Sequence, residues 1–338
     1  MKIIFWGTPF FSIPCLNSLI NSHHEILATV TQPDRRRTRS NKLTRSPIKE
    51  RSSEVGIPVI TTESIRHDIN TQKRVTDLNA DIYIVVAFGQ ILPLKILKQP
   101  KLGAWNCHAS LLPKWRGAAP IQRSIANCDV QTGVDFMLMK EGLDTGPILL
   151  EKKIDIKLLD NHTSISRKLS LISSELIIEG LGIIEKSQFE IDGNYDKLDL
   201  RDQSKFSIEP TYAQQISRED KKIDWNDNCL KIHKKIMAFH PNTFTFVNNR
   251  VLKIEKSEPL IDKYRDCLSS AAKDILDEVR DIRTSPGKVI ALNKRSGIII
   301  ATNDYPIIIT KAKLEGKTVQ ECNNLIQQLN LSIGEKIG

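Results

Sequence analysis

Apolar runs and stretches of helical spacing alternate through the first half of the chain. Residues 3–6, 26–31, 58–60, 82–87 and 105–108 are short, largely apolar or β-branched runs and predict strands. Between them, 12–21, 46–55, 63–78 and 93–97 place apolar residues at helical intervals. This alternation predicts parallel βαβ units, hence an α/β domain with a doubly wound, Rossmann-like, mostly parallel sheet. Strands at 133–139 and 148–156 and a helix over 162–186 complete that domain, placed at 1–189. The pattern then lapses. From 190 to 210 the chain is polar, with Asp192, Gly193, Asn194, Asp196, Asp199, Arg201, Asp202 and Gln203, and predicts a linker.

The last third, 211–338, has another rhythm. A helix ending near Phe239-His240-Pro241 precedes short strands at 243–247, 251–254, 287–292, 297–302 and 307–313. Five short strands after a helix predict a smaller C-terminal β-barrel of the oligonucleotide-binding (OB) type. The charged, helix-prone segment 263–284 interrupts them and reads as an insertion. A chain of 338 residues fits two domains better than one core. With 40% hydrophobic and 26% charged residues, its composition is that of an ordinary globular protein.

No apolar run approaches the roughly 18 residues of a membrane span, so no membrane partner is expected. Gly7 and Pro9 break the opening apolar run, which reads as a buried strand and not a secretory leader. The six cysteines are scattered without a C-x-x-C pair, against a zinc site or a disulfide framework, and imply a reducing, cytoplasmic location. Charge is less even. Residues 35–51 hold Arg35, Arg36, Arg37, Arg39, Lys42, Arg45, Lys49 and Arg51 against Glu50 alone, +7 of the net +9. Such a cluster is a solvated loop or a contact for a polyanion, and its position directly after a strand favours nucleic acid. Lys231, Lys234 and Lys235 share one helix face at i, i+3 and i+4, which is either solvated or phosphate-facing.

The chemistry concentrates in Asn106-Cys107-His108-Ala109-Ser110-Leu111-Leu112-Pro113 and in Gly142-Leu143-Asp144-Thr145-Gly146. Strand alternation turns Asn106 and His108 to one face and Cys107 to the other. An amide donor and a titratable base aimed at one atom suit acyl-type transfer. Alone, such a pair reads as satisfied polar residues at a strand end, and Asp144 as a turn aspartate. Gly7-Thr8-Pro9 is no G-x-G-x-x-G, so a dinucleotide reading is poor.

The longer strings carry more. N-x-H-x-S-L-L-P, then W-R-G-A-A-P-I-Q, then G-L-D-T-G resemble the folate-dependent formyltransferases, most of all the branch acting on initiator methionyl-tRNA. The likeness covers nearly the whole chain. It implies that Asn106, His108 and Asp144 are the catalytic triad. It implies that Phe88, Gly89, Gln90, Ile91 and Leu92, with Ser110, Leu111, Leu112 and Pro113, bind folate. Thr31-Gln32-Pro33-Asp34-Arg35 resembles the head of a tRNA-contacting loop, with Arg39 and Lys42 at its basic positions. Arg35, Arg36, Arg37, Arg39 and Lys42, helped by Lys231, Lys234 and Lys235, are therefore the expected tRNA contacts. Ile223-Asp224-Trp225 and Ala238-Phe239-His240-Pro241 resemble the start of the family's C-terminal domain. The chain departs from the pattern at Thr38 and Ser40, where glycines are usual, at Arg36 and Arg37, at Met237 and in the longer 263–284 segment.

The resemblance implies formyl transfer from 10-formyltetrahydrofolate, a cosubstrate, to the amine of methionyl-tRNA, by a monomer without a metal. Asn106 would hold the developing oxyanion, the His108 imidazole would move the proton, and Asp144 would orient it and stabilise its charge. Three alternatives share these residues. They are a formyltransferase for an amino sugar or nucleotide, a 10-formyltetrahydrofolate hydrolase, and an RNA-binding protein without activity.

Overall fold

The computed structural model describes residues 1–36, 43–187 and 197–338. Arg37, Thr38, Arg39, Ser40 and Lys42 of the basic loop lie outside them, as do residues 188–196 of the expected linker. The chain divides into two compact units. One comprises Met1–Pro120, Gln131–Ile154 and Ser166–Gln214, the other Ile121–Val130, Asp155–Ile165 and Gln215–Gly338.

The first unit is built on a sheet of β1 (Lys2–Gly7), β2 (Glu25–Thr31), β3 (Val59–Thr61), β4 (Ile82–Val86), β5 (Ala104–His108), β6 (Gln131–Leu138) and β7 (Ile148–Asp155). Their spatial order is β7-β6-β5-β4-β1-β2-β3. The pairs β1–β2, β1–β4, β2–β3 and β4–β5 are parallel, and β5–β6 is antiparallel. Ile3, Ile4, Phe5 and Trp6 are fully buried, as a central parallel strand covered on both faces requires. The connecting helices are α1 (Ile13–Ile20), α2 (Pro47–Glu54), α3 (Ile69–Asp77) and α4 (Leu94–Leu97), with α5 (Pro120–Ala126) and α6 (His162–Ser187) later in the chain. Ser46 caps α2 by accepting from the Lys49 N–H, with Pro47 in the first turn.

The helix expected over 63–78 is shorter than its periodicity predicts. Asp68 caps it, accepting from the Thr71 N–H at 3.0 Å, and the Ile65 N–H is tied to Gln90 Oε1 at 2.8 Å. Those bonds hold 62–68 in an irregular turn, leaving a helix only from Ile69.

In the doubly wound order, strand direction of travel switches between β1 and β4, and ligands bind at the carboxyl ends there. Thr8 Oγ1, just past β1, donates to the Phe88 carbonyl just past β4 at 3.1 Å. His108 ends β5 on the same edge.

The second unit contains α7 (Cys229–Ala238), α8 (Ser270–Val279), α9 (Cys322–Leu329), and strands β8 (Thr243–Val247), β9 (Arg250–Pro259), β10 (Val289–Asn293), β11 (Gly297–Ile300), β12 (Ile307–Leu314) and β13 (Val319–Glu321). The strands form one antiparallel sheet in the order β8-β9-β12-β11-β10, with β13 beside β12. A closed barrel of OB type is not confirmed. Among the described residues the strand pairings run from β8 to β10 without joining them. Single bonds from the Gly338 N–H to Phe246 and from the Ile337 N–H to Gly287 touch both edges. The expected insertion supplies α8. Its Ala272, Ile275, Leu276 and Val279 bury against Ile299 and Ile308 of the sheet.

Candidate active site

His108 and Asp144 come from separate segments and meet. His108 is 5% exposed, its Nδ1 lies 3.5 Å from Asp144 Oδ2, and its Nε2 lies 2.9 Å from the Trp115 carbonyl. A carbonyl only accepts, so Nε2 donates to it. Nδ1 is then the nitrogen that takes a further proton, and the Asp144 carboxylate faces the charge it would gain. Asn106 lies two residues back on the same strand face and is 9% exposed. Its amide makes no hydrogen bond with the described residues, so it is free for a ligand.

The loop carrying Asp144 is clamped. Asp144 adopts a left-handed φ of +51°, strained for a residue with a Cβ. Its Oδ2 accepts from the Gly117 N–H at 2.8 Å. Gln203 Nε2 donates to the carbonyls of Asp144 at 2.9 Å and Gly146 at 2.7 Å, while its Oε1 accepts from Arg116 Nη2 at 2.6 Å. Gly146 is required by close approach, since a Cβ there would sit 1.7 Å from the Leu138 carbonyl. Gly117, at φ +123°, would press a Cβ to 2.8 Å from the Ala213 carbonyl.

Gln203 and Arg116 were not singled out by sequence reasoning. The stretch read as a linker is packed here: Gln203 is buried, residues 116–117 pair with 212–213, and Arg201 bridges Ile148. A lone Gln in a polar stretch carries no signal of its own. W-R-G-A-A-P and Asp202-Gln203 meet only through tertiary contact.

The 85–93 turn is anchored at both ends and open between. Phe88 and Leu92 are buried, and Phe88 sits edge-on to Trp6 with ring centroids 5.2 Å apart. Gln32 Nε2 donates to the Phe88 carbonyl at 2.9 Å, and Gln90 ties Ile65 and Thr62. Gly89 is exposed at φ +79°, and Ile91 is 67% exposed beside it. In the 110–113 turn, Ser110 is buried and donates to the Lys114 carbonyl at 2.6 Å. Leu112 and Pro113 are buried and Leu111 half-buried.

The basic loop is described only at its base, where Arg35 and Arg36 pair antiparallel with Thr44 and Leu43. Arg35 is exposed. Lys49 pairs with Asp34 at 2.9 Å, and Arg51 donates to Asn17 and Glu54, so these two hold the base of the loop.

The three lysines of α7 are not equivalent. Lys231 is exposed and paired with Asp227 at 2.5 Å. Lys235 is half-buried and donates to the Lys222 carbonyl at 3.0 Å. Lys234 differs from both. It is 6% exposed, its ammonium is turned to the Lys157 and Leu158 carbonyls, and burial lowers its pKa. Of the face expected to be solvated or phosphate-facing, Lys234 alone of the three lysines turns onto residues 157–158. One cluster among the described residues has metal-ligand spacing: His23, His24 and Glu185, with ligand atoms within 4.8 Å. It precedes β2 and so lies at the amino edge of the sheet, opposite His108.

The formyl transferase model matches residues 1–181, and the model of its C-terminal domain matches 215–330. A methionyl-tRNA formyltransferase of Prochlorococcus marinus is 48% identical over 332 residues, covering 98% of both chains. The chain belongs to the methionyl-tRNA formyltransferase family. A member from a Synechococcus sp. is 43% identical over 339 residues, covering 100% of this chain and 98% of its own.

Solved structures share the fold at lower identity. A sugar 3N-formyl transferase, WlaRD, crystallised with dTDP and 5-N-formyl-THF, aligns with a TM-score of 0.60 at 18% identity, covering 94% of this chain and 99% of its own. HypX of Aquifex aeolicus in complex with tetrahydrofolic acid gives 0.62 at 15%, covering 99% of this chain and 48% of its own. The methionyl-tRNA formyltransferase of Clostridium thermocellum gives 0.51 at 18%, covering 76% of this chain and 93% of its own. No helix among the described residues is long and apolar enough to cross a membrane.

Proposed function

We propose that this chain transfers the formyl group of 10-formyltetrahydrofolate to the α-amine of methionine esterified to initiator tRNA. The observation that carries the reading is the convergence of the unengaged Asn106 amide with the His108–Asp144 pair at the carboxyl end of β5. Full-length relatives at 40–48% identity that bear the methionyl-tRNA formyltransferase name support the acceptor.

The donor fits the turns beside the triad. The 85–93 turn offers exposed backbone and the Ile91 side chain from a rigid base, which suits a flat, partly apolar pterin, and the 110–113 turn follows directly on His108. The amine attacks the formyl carbon and gives a tetrahedral species with a negative oxygen. Asn106 donates to that oxygen. Nδ1 of His108 takes the amine proton, Asp144 stabilises the resulting imidazolium, and the proton passes to the departing folate nitrogen. Arg35 and Arg36, with Arg37, Arg39 and Lys42, would meet the acceptor's phosphates, and Lys231, exposed on α7, would add to them.

The test is formyl incorporation from 10-formyltetrahydrofolate by the purified protein, comparing methionine-charged initiator tRNA, methionine-charged elongator tRNA, an amino sugar nucleotide and water. Rapid formylation of the initiator alone is expected. Donor consumption without transfer to either tRNA would overturn the reading in favour of a sugar- or water-directed enzyme.

A further inference from the structure

We propose that Asp135, in the middle of β6, is a positioning residue that sets the 110–113 turn against the His108 imidazole. The inference rests on the formyl-transfer reading above. Asp135 pairs with His108 in the β5–β6 ladder, so both side chains leave on one face. It is fully buried, and Oδ2 accepts from the Leu112 N–H at 2.6 Å. Oδ1 is buried and has no partner among the described residues.

Its neighbours on β6 serve the same turn. A Cβ at Gly133 would collide with Leu111 Cδ2 at 2.4 Å, so glycine admits Leu111. Met137 buries with Leu112, and its Cε lies 3.1 Å from where a Cβ on Gly146 would fall, next to the Asp144 loop. One face of β6 thus seats both halves of the site through Gly133, Asp135 and Met137. Of these three, Asp135 is the one whose side chain hydrogen-bonds.

An apolar residue of the same shape would leave the buried Leu112 N–H without an acceptor. A carboxylate would need a cation there, and those nearby are engaged. Glu151 takes Lys153 at 3.2 Å and Arg201 at 3.7 Å. On β5, His108 faces Asp144 and Cys107 lies on the opposite face. Burial holds the Asp135 carboxyl well above the usual carboxylate range, with Glu151 adding and the Leu112 N–H, Arg201 and Lys153 opposing. Asp135 therefore serves as the acceptor of the Leu112 N–H, and Asp144 is the carboxyl group that faces His108.

The experiment compares Asp135→Asn, which keeps a neutral acceptor, with Asp135→Leu, which keeps the shape and removes it. Steady-state rates are taken against the formyl donor and against methionyl-tRNA from pH 6 to 9, alongside amide exchange of the 109–115 peptide. Asp135→Asn is expected to stay within about threefold of wild type, with an unchanged pH profile. Asp135→Leu is expected to lose about tenfold to a hundredfold in kcat/KM for the donor, with the KM for tRNA unmoved and faster exchange at Leu112. Asp135→Leu equal to wild type overturns the proposal, and so does Asp135→Asn impaired as Asp135→Leu is. Should Asp135→Leu not fold, Asp135→Asn alone decides, since a working carboxylate would be lost with it. An inactive wild type would instead overturn the formyl-transfer reading on which the proposal stands.

Discussion

At the scale of single residues, roles in the site follow from what each side chain is already bonded to. The Asn106 amide has no hydrogen-bond partner among the described residues, so Asn106→Ala should cost the barrier and not the fold. A drop in kcat of about 10²–10³ is expected, with donor KM and melting temperature near wild type, from steady-state rates and calorimetry. Asp144→Asn retains an oxygen for the Gly117 N–H but no charge for Nδ1, so it should abolish turnover while leaving folate and tRNA binding intact. Asn106, His108 and Asp144 were legible in the sequence because each stands in a string of small residues, Pro or Gly whose order is distinctive. Gln203 was not. Its role comes from meeting Arg116 and the carbonyls of Asp144 and Gly146, over sequence separations of 57 to 87 residues. Asp135 was hidden in an apolar strand, where an alternating pattern gives no warning of a buried acid.

At the scale of elements, α7 shows how burial redirects a charged pattern. Spacing put Lys231, Lys234 and Lys235 on one face, and that much was legible. That Lys234 turns onto residues 157–158 was not. Beside Lys234, His233 is fully buried, with Nδ1 on Ser257 Oγ at 3.0 Å and Nε2 on the Leu158 carbonyl at 2.9 Å. Burial lowers its pKa to about 4, with Lys234 adding and the two hydrogen bonds opposing. The unfolded imidazole binds its proton near 6.5, so between pH 6.5 and 4 the unfolded state holds more protons. Stability must fall as pH drops through that window, by about 3 kcal/mol from this group. Denaturant midpoints from pH 7 to 4 should therefore decline less steeply in His233→Asn than in wild type, and NMR should find the imidazole neutral at pH 5. Most strands were legible to within two residues, though β9 runs on to Pro259 and β13 was not read, whereas α3 lost its first turn to Asp68 and Gln90, a contest between cap and periodicity that spacing cannot settle.

At the scale of the whole molecule, net charge of +9 is concentrated on one short segment. If that segment binds tRNA, affinity should be ruled by counterion release. Binding is expected to weaken by about a hundredfold between 50 and 200 mM salt, and Arg35→Ala to flatten the log–log slope by about one phosphate contact. Filter binding or anisotropy across a salt series checks both. A salt-independent affinity would remove the basic loop from recognition. The two compact units also exceed what a contiguous reading provides. The second takes residues 121–130 and 155–165 from the first half of the chain, where the order of elements implied one uninterrupted domain.

What the sequence determined by itself is local or serial. Strand and helix periods expose themselves within a window of ten residues, parallel βαβ order follows from alternation, and the triad strings and the charge cluster are read in place. Tertiary structure alone decided which acceptors flank His108, that the supposed linker clamps the Asp144 loop, that Lys234 is buried, and that β6 seats the site. Each depends on backbone and side chains brought together across long stretches of chain. Their energy lies in desolvation and hydrogen-bond partnership, and neither is a property of a residue until its neighbours are in place.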